Sequence, residues 1–212
     1  GMATLKDELR QELTAVLAQR PDLNVQLASD GDAGQWKYLE ELAAELAPQV
    51  DSVSKKLDFF HAAEYVHEAT ALLWGADTPE SRVRASTWLA MMKEHDDGAL
   101  RVIKAMRHQR ANLGGHKREK LDRIIKHLAK HERAGRMRYA EAKRAGEPIG
   151  TGITEAAAKT LVGTRMKRAG ARFSQHGGQT VLLFRAAEKS GRFERISSAI
   201  ENTYRRDIKL AA

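Results

Sequence analysis

From Phe59 to the C-terminus, apolar residues recur at helical spacing, broken only where Gly, Pro or Asp-Gly interrupt them, and this leaves little room for a sheet. The spacing predicts helices over residues 59–74, 79–94, 98–112, 117–145, 154–168, 175–189 and 192–206, preceded by helices over 4–19 and 35–46. Thr78-Pro79 supplies an N-cap followed by a proline at the first helical position. Only two stretches read as strands. Leu23 to Leu27 alternates apolar and polar residues and ends in Ser29-Asp30-Gly31, and Val53 to Leu57 leads into Asp58. Two strands do not by themselves make a stable sheet with a buried face. The predicted fold is therefore mainly α: a helical bundle with a remnant of an α/β core, its short strands near residues 23–28 and 53–57.

Charge divides the chain as sharply as periodicity does. The net charge of +8 conceals 9 basic and 18 acidic residues in positions 1–100, against 27 basic and 10 acidic in positions 101–212. The two halves are thus suited to different partners. The chain has no Cys, which excludes disulfides, thiolate zinc, iron–sulfur clusters and cysteine nucleophiles. Apolar runs such as Val181 to Phe184 are far shorter than a membrane span, and the N-terminus alternates charged and apolar residues, unlike a secretory signal. A soluble, cytoplasmic protein with no membrane partner is expected. Gly1 ahead of Met2 reads as the remnant of a cleaved expression tag.

Within the basic half, Lys117 to Arg144 carries an apolar stripe of Leu121, Ile124, Ile125, Leu128 and Ala129, flanked by Lys117, Lys120, Arg123, Lys126, Lys130 and Arg133. Few acidic residues stand where they could pair at i,i+4, so the positive field is not cancelled and suits a polyphosphate. The ordinary alternative is a solvated helix face. Gly150 and Gly152 permit a tight turn, Thr154 can cap a helix, and Glu155 falls in its first turn, where it also complements the helix dipole. Glu64 and His67 have the spacing of di-iron bundles, but no second such pair exists. His127 and His131 share a face among Lys and Arg residues that would repel a cation. Trp36, Trp74 and Trp88 lie in apolar stripes and read as core anchors, and Phe173 stands in a basic stretch as either a surface aromatic or a packed one.

Several of these pieces carry a resemblance. Gly146-x-Pro148-Ile149-Gly150-Thr151-Gly152, Glu155-Ala156, Lys159-Thr160-Leu161-Val162, Arg165-Met166-Lys167-Arg168, Gly177-Gly178-Gln179 and Leu183-x-Arg185-Ala186 resemble the C-terminal part of bacterial insertion-sequence transposases of the DDE class. Ser29-Asp30-Gly31 with Trp36, and Leu57-Asp58-Phe59-Phe60-His61-Ala62-Ala63-Glu64-Tyr65, agree with that family in order and spacing. The resemblance implies an RNase H-like core (1–58), a helical insertion (59–148) and basic C-terminal core helices (149–212). It also implies DNA as partner and Mg2+ or Mn2+ held by carboxylates for a two-metal phosphodiester transfer.

By motif position Asp30 and Glu155 are the implied metal ligands and catalytic carboxylates, with Asp58 competing for the middle place and His61 accessory. Arg165, Lys167, Arg168 and Arg172 are the implied DNA-binding residues. The family's first carboxylate lies on a strand well ahead of the Asp-Gly motif, but only 29 residues precede Asp30, and Asp7 falls in a predicted helix. Ala158 stands where the family commonly has Cys, and Thr151 where Ser is frequent. The chain is accordingly expected to be a fragment or truncated relative, inactive alone. The alternative is a non-catalytic helical module, binding nucleic acid or protein. Exposed strand edges favour a homo-oligomer.

Overall fold

A computed structural model describes residues 2–166, 170 and 172–211, in two compact units, Gly1–Thr151 and Gly152–Ala212. The implied DNA-binding residues Lys167 and Arg168 lie outside the described residues, as do the side chains of Glu155 and Arg165.

The first unit begins with α1 (Met2–Gln19), β1 (Val25–Ser29), α2 (Ala33–Leu46) and β2 (Val53–Leu57). The two strands pair in parallel, Val25 opposite Val53 and Ser29 opposite Leu57, with α2 as their crossover. Leu17, Leu27, Leu42, Ala43 and Leu46 form a small core beneath them. Among the described residues these are the only strands, and the protein is mainly helical, with a two-stranded parallel sheet.

A larger core joins β2 to α3 (Phe59–Trp74), α4 (Pro79–Glu94), α5 (Gly98–Gln109), α6 (Gly115–Arg133) and α7 (Tyr139–Arg144). Leu57, Val66, Met106, Leu121 and Leu128 are fully buried there, each contributing about 1.5–3 kcal/mol from apolar area removed from water. Thr78 caps α4 by accepting from the Ser81 amide (3.1 Å), with Pro79 at the first helical position. Trp36 and Trp88 are buried, and the Trp74 ring stands edge-on to Trp88 at 5.5 Å.

The helix predicted over 117–145 is two helices. At Gly135 the backbone takes φ +70, a conformation that glycine enters without strain, and the chain turns out of α6. The turn residue that follows places the Arg136 carbonyl 2.8 Å from the Leu57 amide, a bond a continuous helix could not make. The buried Tyr139 then donates its hydroxyl to the Leu57 carbonyl at 3.0 Å, and burial raises its pKa strongly.

In the second unit α8 (Gly152–Ala158) runs into a π-helical turn (Lys159–Gly163) and α9 (Thr164–Met166). The helix therefore starts two residues before Thr154, whose side chain lies outside the described residues. Arg185 of α10 (Gln175–Lys189) donates to the carbonyls of Thr160 and Leu161 (2.7 and 3.2 Å), taking up acceptors of the widened turn. Ser174 caps α10 by accepting from the Gly177 amide (3.1 Å). In α11 (Phe193–Ala211), Ile196, Ile200 and Tyr204 are exposed. Among the described residues no helix is long and apolar enough to cross a membrane.

Candidate functional site

Parallel register carries the two strands to the same level, so Asp30 and Asp58 leave adjacent strand ends at one edge of the sheet. The Asp58 amide donates to the Ser29 carbonyl at 2.9 Å, fastening that edge. Crevices beyond the carboxyl ends of parallel strands are the usual ligand sites of such units.

Asp58 is buried and fully engaged. One carboxylate oxygen accepts from the amides of Phe60 (2.6 Å) and His61 (3.1 Å), capping α3. The other accepts from the Thr151 amide (2.6 Å) and hydroxyl. Burial opposes its ionisation, but these four donors outweigh it and hold the carboxyl below its usual range. Gly150 is drawn so close to this corner that a Cβ there would lie 2.9 Å from the Phe60 ring.

Asp30 is exposed. Capping of α2 falls instead to Asp32, which accepts from the Gln35 amide at 2.8 Å, while one Asp30 oxygen takes only the Asp32 amide and, more distantly, the Ser29 hydroxyl (3.2 and 3.4 Å). Between the two aspartates Gly31 adopts φ +103, and a Cβ there would meet the His127 ring at 3.1 Å and Leu57 at 3.2 Å. No other residue threads this gap without displacing α6.

Behind Gly31 lies a stack of rings. Tyr65 covers His127 at 4.4 Å, His127 lies 4.7 Å from His131, and His61 is 6.4 Å from His127. Tyr65 is held above its ordinary pKa by burial and by the negative charges of Glu68, Glu64 and Asp30, which puts Asp30 within electrostatic reach of the stack. His131 is wholly buried, and burial, with the positive charge of its neighbours, lowers its pKa to about 4. The Arg136 guanidinium donates to His131 Nδ1 (3.1 Å), so the neutral ring carries its proton on Nε2. That guanidinium also lies 3.8 Å from the Trp36 ring centre and pairs with Glu40 at 2.7 Å. Both Nε2 atoms, of His127 and of His131, are buried without a hydrogen-bond partner.

The two histidines thus pack against aromatic neighbours while staying close to the cations Lys130 and, for His131, Arg136. Arg136, Glu40 and Tyr65 belong to this corner although nothing in their local sequence marks them. Their grouping follows from helix-to-helix contacts, and the only local signal is the i,i+4 spacing of His61 with Tyr65 and of His127 with His131.

Among the residues implied for catalysis, Asp30 and Asp58 share the sheet edge. Glu155 lies in α8 of the second unit. Asp58 has no oxygen left for a metal ion, because capping and the Thr151 contacts occupy both. Among the described residues no group of three or more His, Asp or Glu side chains could hold a metal ion. The described donors therefore do not fit a two-metal centre, and no metal-dependent step is derived from them. Arg172 is exposed. Phe173 is half-exposed and lines an apolar hollow with Phe184 and Phe193. Comparison with protein-family models, curated proteins and solved structures finds no match for this chain.

Proposed function

We propose that this protein is a DNA-binding relative of the DDE transposases, its β1–α2–β2 unit a remnant of an RNase H-like core. The observation that supports this reading is the placement of the Asp30-Gly31 and Asp58 motifs side by side at the carboxyl edge of two parallel strands. In this reading Asp30 and Glu155 are, by motif position, the counterparts of that family's metal-binding carboxylates, and Asp58 is a positioning residue that ties the Gly150-Thr151 loop to the start of α3. The exposed Arg172, with Arg165, Lys167 and Arg168, contacts DNA phosphates.

A second reading, a nucleic-acid-binding module without chemistry, is favoured by the full engagement of Asp58 and by the lack of a three-ligand group among the described residues. One experiment addresses both. The chain is incubated with duplex DNA and Mn2+ in a nicking and strand-transfer assay, beside Glu155→Gln and Asp30→Asn. Salt-sensitive DNA binding without cleavage is expected of this chain alone. Cleavage abolished by Glu155→Gln overturns the expectation of inactivity, and no DNA binding even at low salt overturns both readings.

A further inference from the structure

Residues 98–133, which span α5 and α6, hold eleven basic and three acidic side chains, a net charge equal to that of the entire chain. The two helices pack through Val102, Ile103 and Met106 against Leu121, Ile124 and Leu128, which leaves their polar faces on either side of an open groove. Its floor is formed by Ile125 and Ala129, both buried. Its walls carry Arg107 from α5 and Arg123, Lys126, Lys130 and Arg133 from α6.

All five cations are exposed, and among the described residues none has an ion-pair partner. The groove's one acidic residue, Asp122, is already neutralised. Arg110 grips it with both Nε and a terminal nitrogen, and this bonding holds its carboxyl below the usual range. The α6 cations fall at i, i+3, i+7 and i+10, so they form one row about 15 Å long at 1.5 Å per residue. A duplex rises 3.4 Å per base pair, so a row of this length spans about four base pairs along its axis.

We infer that the α5–α6 groove binds the sugar–phosphate backbone of duplex DNA, without reading its sequence. Residues 98–133 contain no Phe, Tyr or Trp. Surfaces that hold single strands combine positive charge with aromatic platforms for unstacked bases, and the one ring lining this groove, His127, is already covered by Tyr65 at 4.4 Å. A row of unpaired cations suits phosphate contact, which positions a duplex without carrying sequence information. The inference shares with the proposed function only the premise that DNA is the ligand. It places a phosphate-tracking surface on residues of the first unit, none of them among the C-terminal arginines, and needs no metal ion.

The test is fluorescence anisotropy of the full chain with a labelled 20-base-pair duplex in EDTA, over a range of salt concentrations. The variants are Arg123→Ala/Lys126→Ala/Lys130→Ala and, with the same loss of charge elsewhere, Lys37→Ala/Arg82→Ala/Arg84→Ala. The groove triple is expected to weaken binding by about tenfold or more and to reduce the slope of log K against log salt by about 3, and the control triple to change either far less. Lys126→Arg/Lys130→Arg is expected to retain binding, which separates lost charge from lost fold. Equal effects of the two triples overturn the groove, and a single-stranded competitor that displaces the duplex at equal phosphate concentration overturns the assignment to duplex. Because this binding is measured in EDTA, where no metal-dependent cleavage proceeds, failure of the cleavage reading and failure of the groove are told apart.

Discussion

The two strand ends begin from the same arrangement, an aspartate immediately after a paired strand residue, and reach opposite outcomes. After β2 the helix starts at once, so Asp58 must cap it and is buried beneath Thr151. After β1 the turn is two residues longer, Asp32 does the capping, and Asp30 stays exposed. The spacing between strand and helix decides which carboxylate becomes structural and which is left for a ligand. A motif match that equates the two is therefore misleading about their chemistry.

That contrast can be broken from the Asp58 side first. Asp58→Ala removes a helix cap and strands the buried donors of the Thr151 corner, for an expected loss of about 3–4 kcal/mol in urea unfolding. A loss under 1 kcal/mol would show that the four hydrogen bonds contribute little.

Next in size is a pH effect behind the Asp30 end. The folded pKa of His131 is about 4, against roughly 6.5 in an unfolded chain. Below pH 6.5 the unfolded state takes up a proton that the folded state refuses, so stability falls as pH drops from 6.5 to 4, by up to about 3 kcal/mol, and levels off below. His131→Phe is expected to flatten that slope in urea midpoints measured across the window, whatever its own stability. An unchanged slope would assign the dependence to other groups.

Gly31→Ala puts a Cβ into the gap beside His127 at a positive φ, and a loss of about 2 kcal/mol is expected by thermal unfolding. The smallest pair of effects is the most diagnostic. Asp32→Ala should cost about 1 kcal/mol as a lost cap, whereas Asp30→Asn should change stability by less than about 0.5 kcal/mol. An Asp30 effect as large as that of Asp32 would erase the proposed division of labour.

Local signals were sufficient for much of this. Thr78-Pro79, the period of α3 and α4 and the alternation in β1 each report on neighbouring residues, and the elements fall within a few residues of where those signals put them. Gly135 was hidden because Glu132, Arg133, Ala134 and Met137 are good helix formers around one weak one. What ends α6 is a bond to Leu57, nearly eighty positions away in sequence. The burial of Arg136 is likewise invisible locally, since an arginine is buried only where partners such as Glu40 and Trp36 are brought to it by the fold. For the candidate site, the motifs identified Asp30 and Asp58 but not their difference, which depends on Thr151 returning from the far end of the unit.

The turn at Gly135 also gives the sheet a direction. In a parallel ladder Leu57 points its amide and carbonyl away from β1, and Arg136 and Tyr139 have taken both. At Leu57 the outer side of β2 is therefore occupied. The sheet is thus a two-stranded ladder of five residue pairs, anchored at its Leu57 end to the turn after α6 and the start of α7.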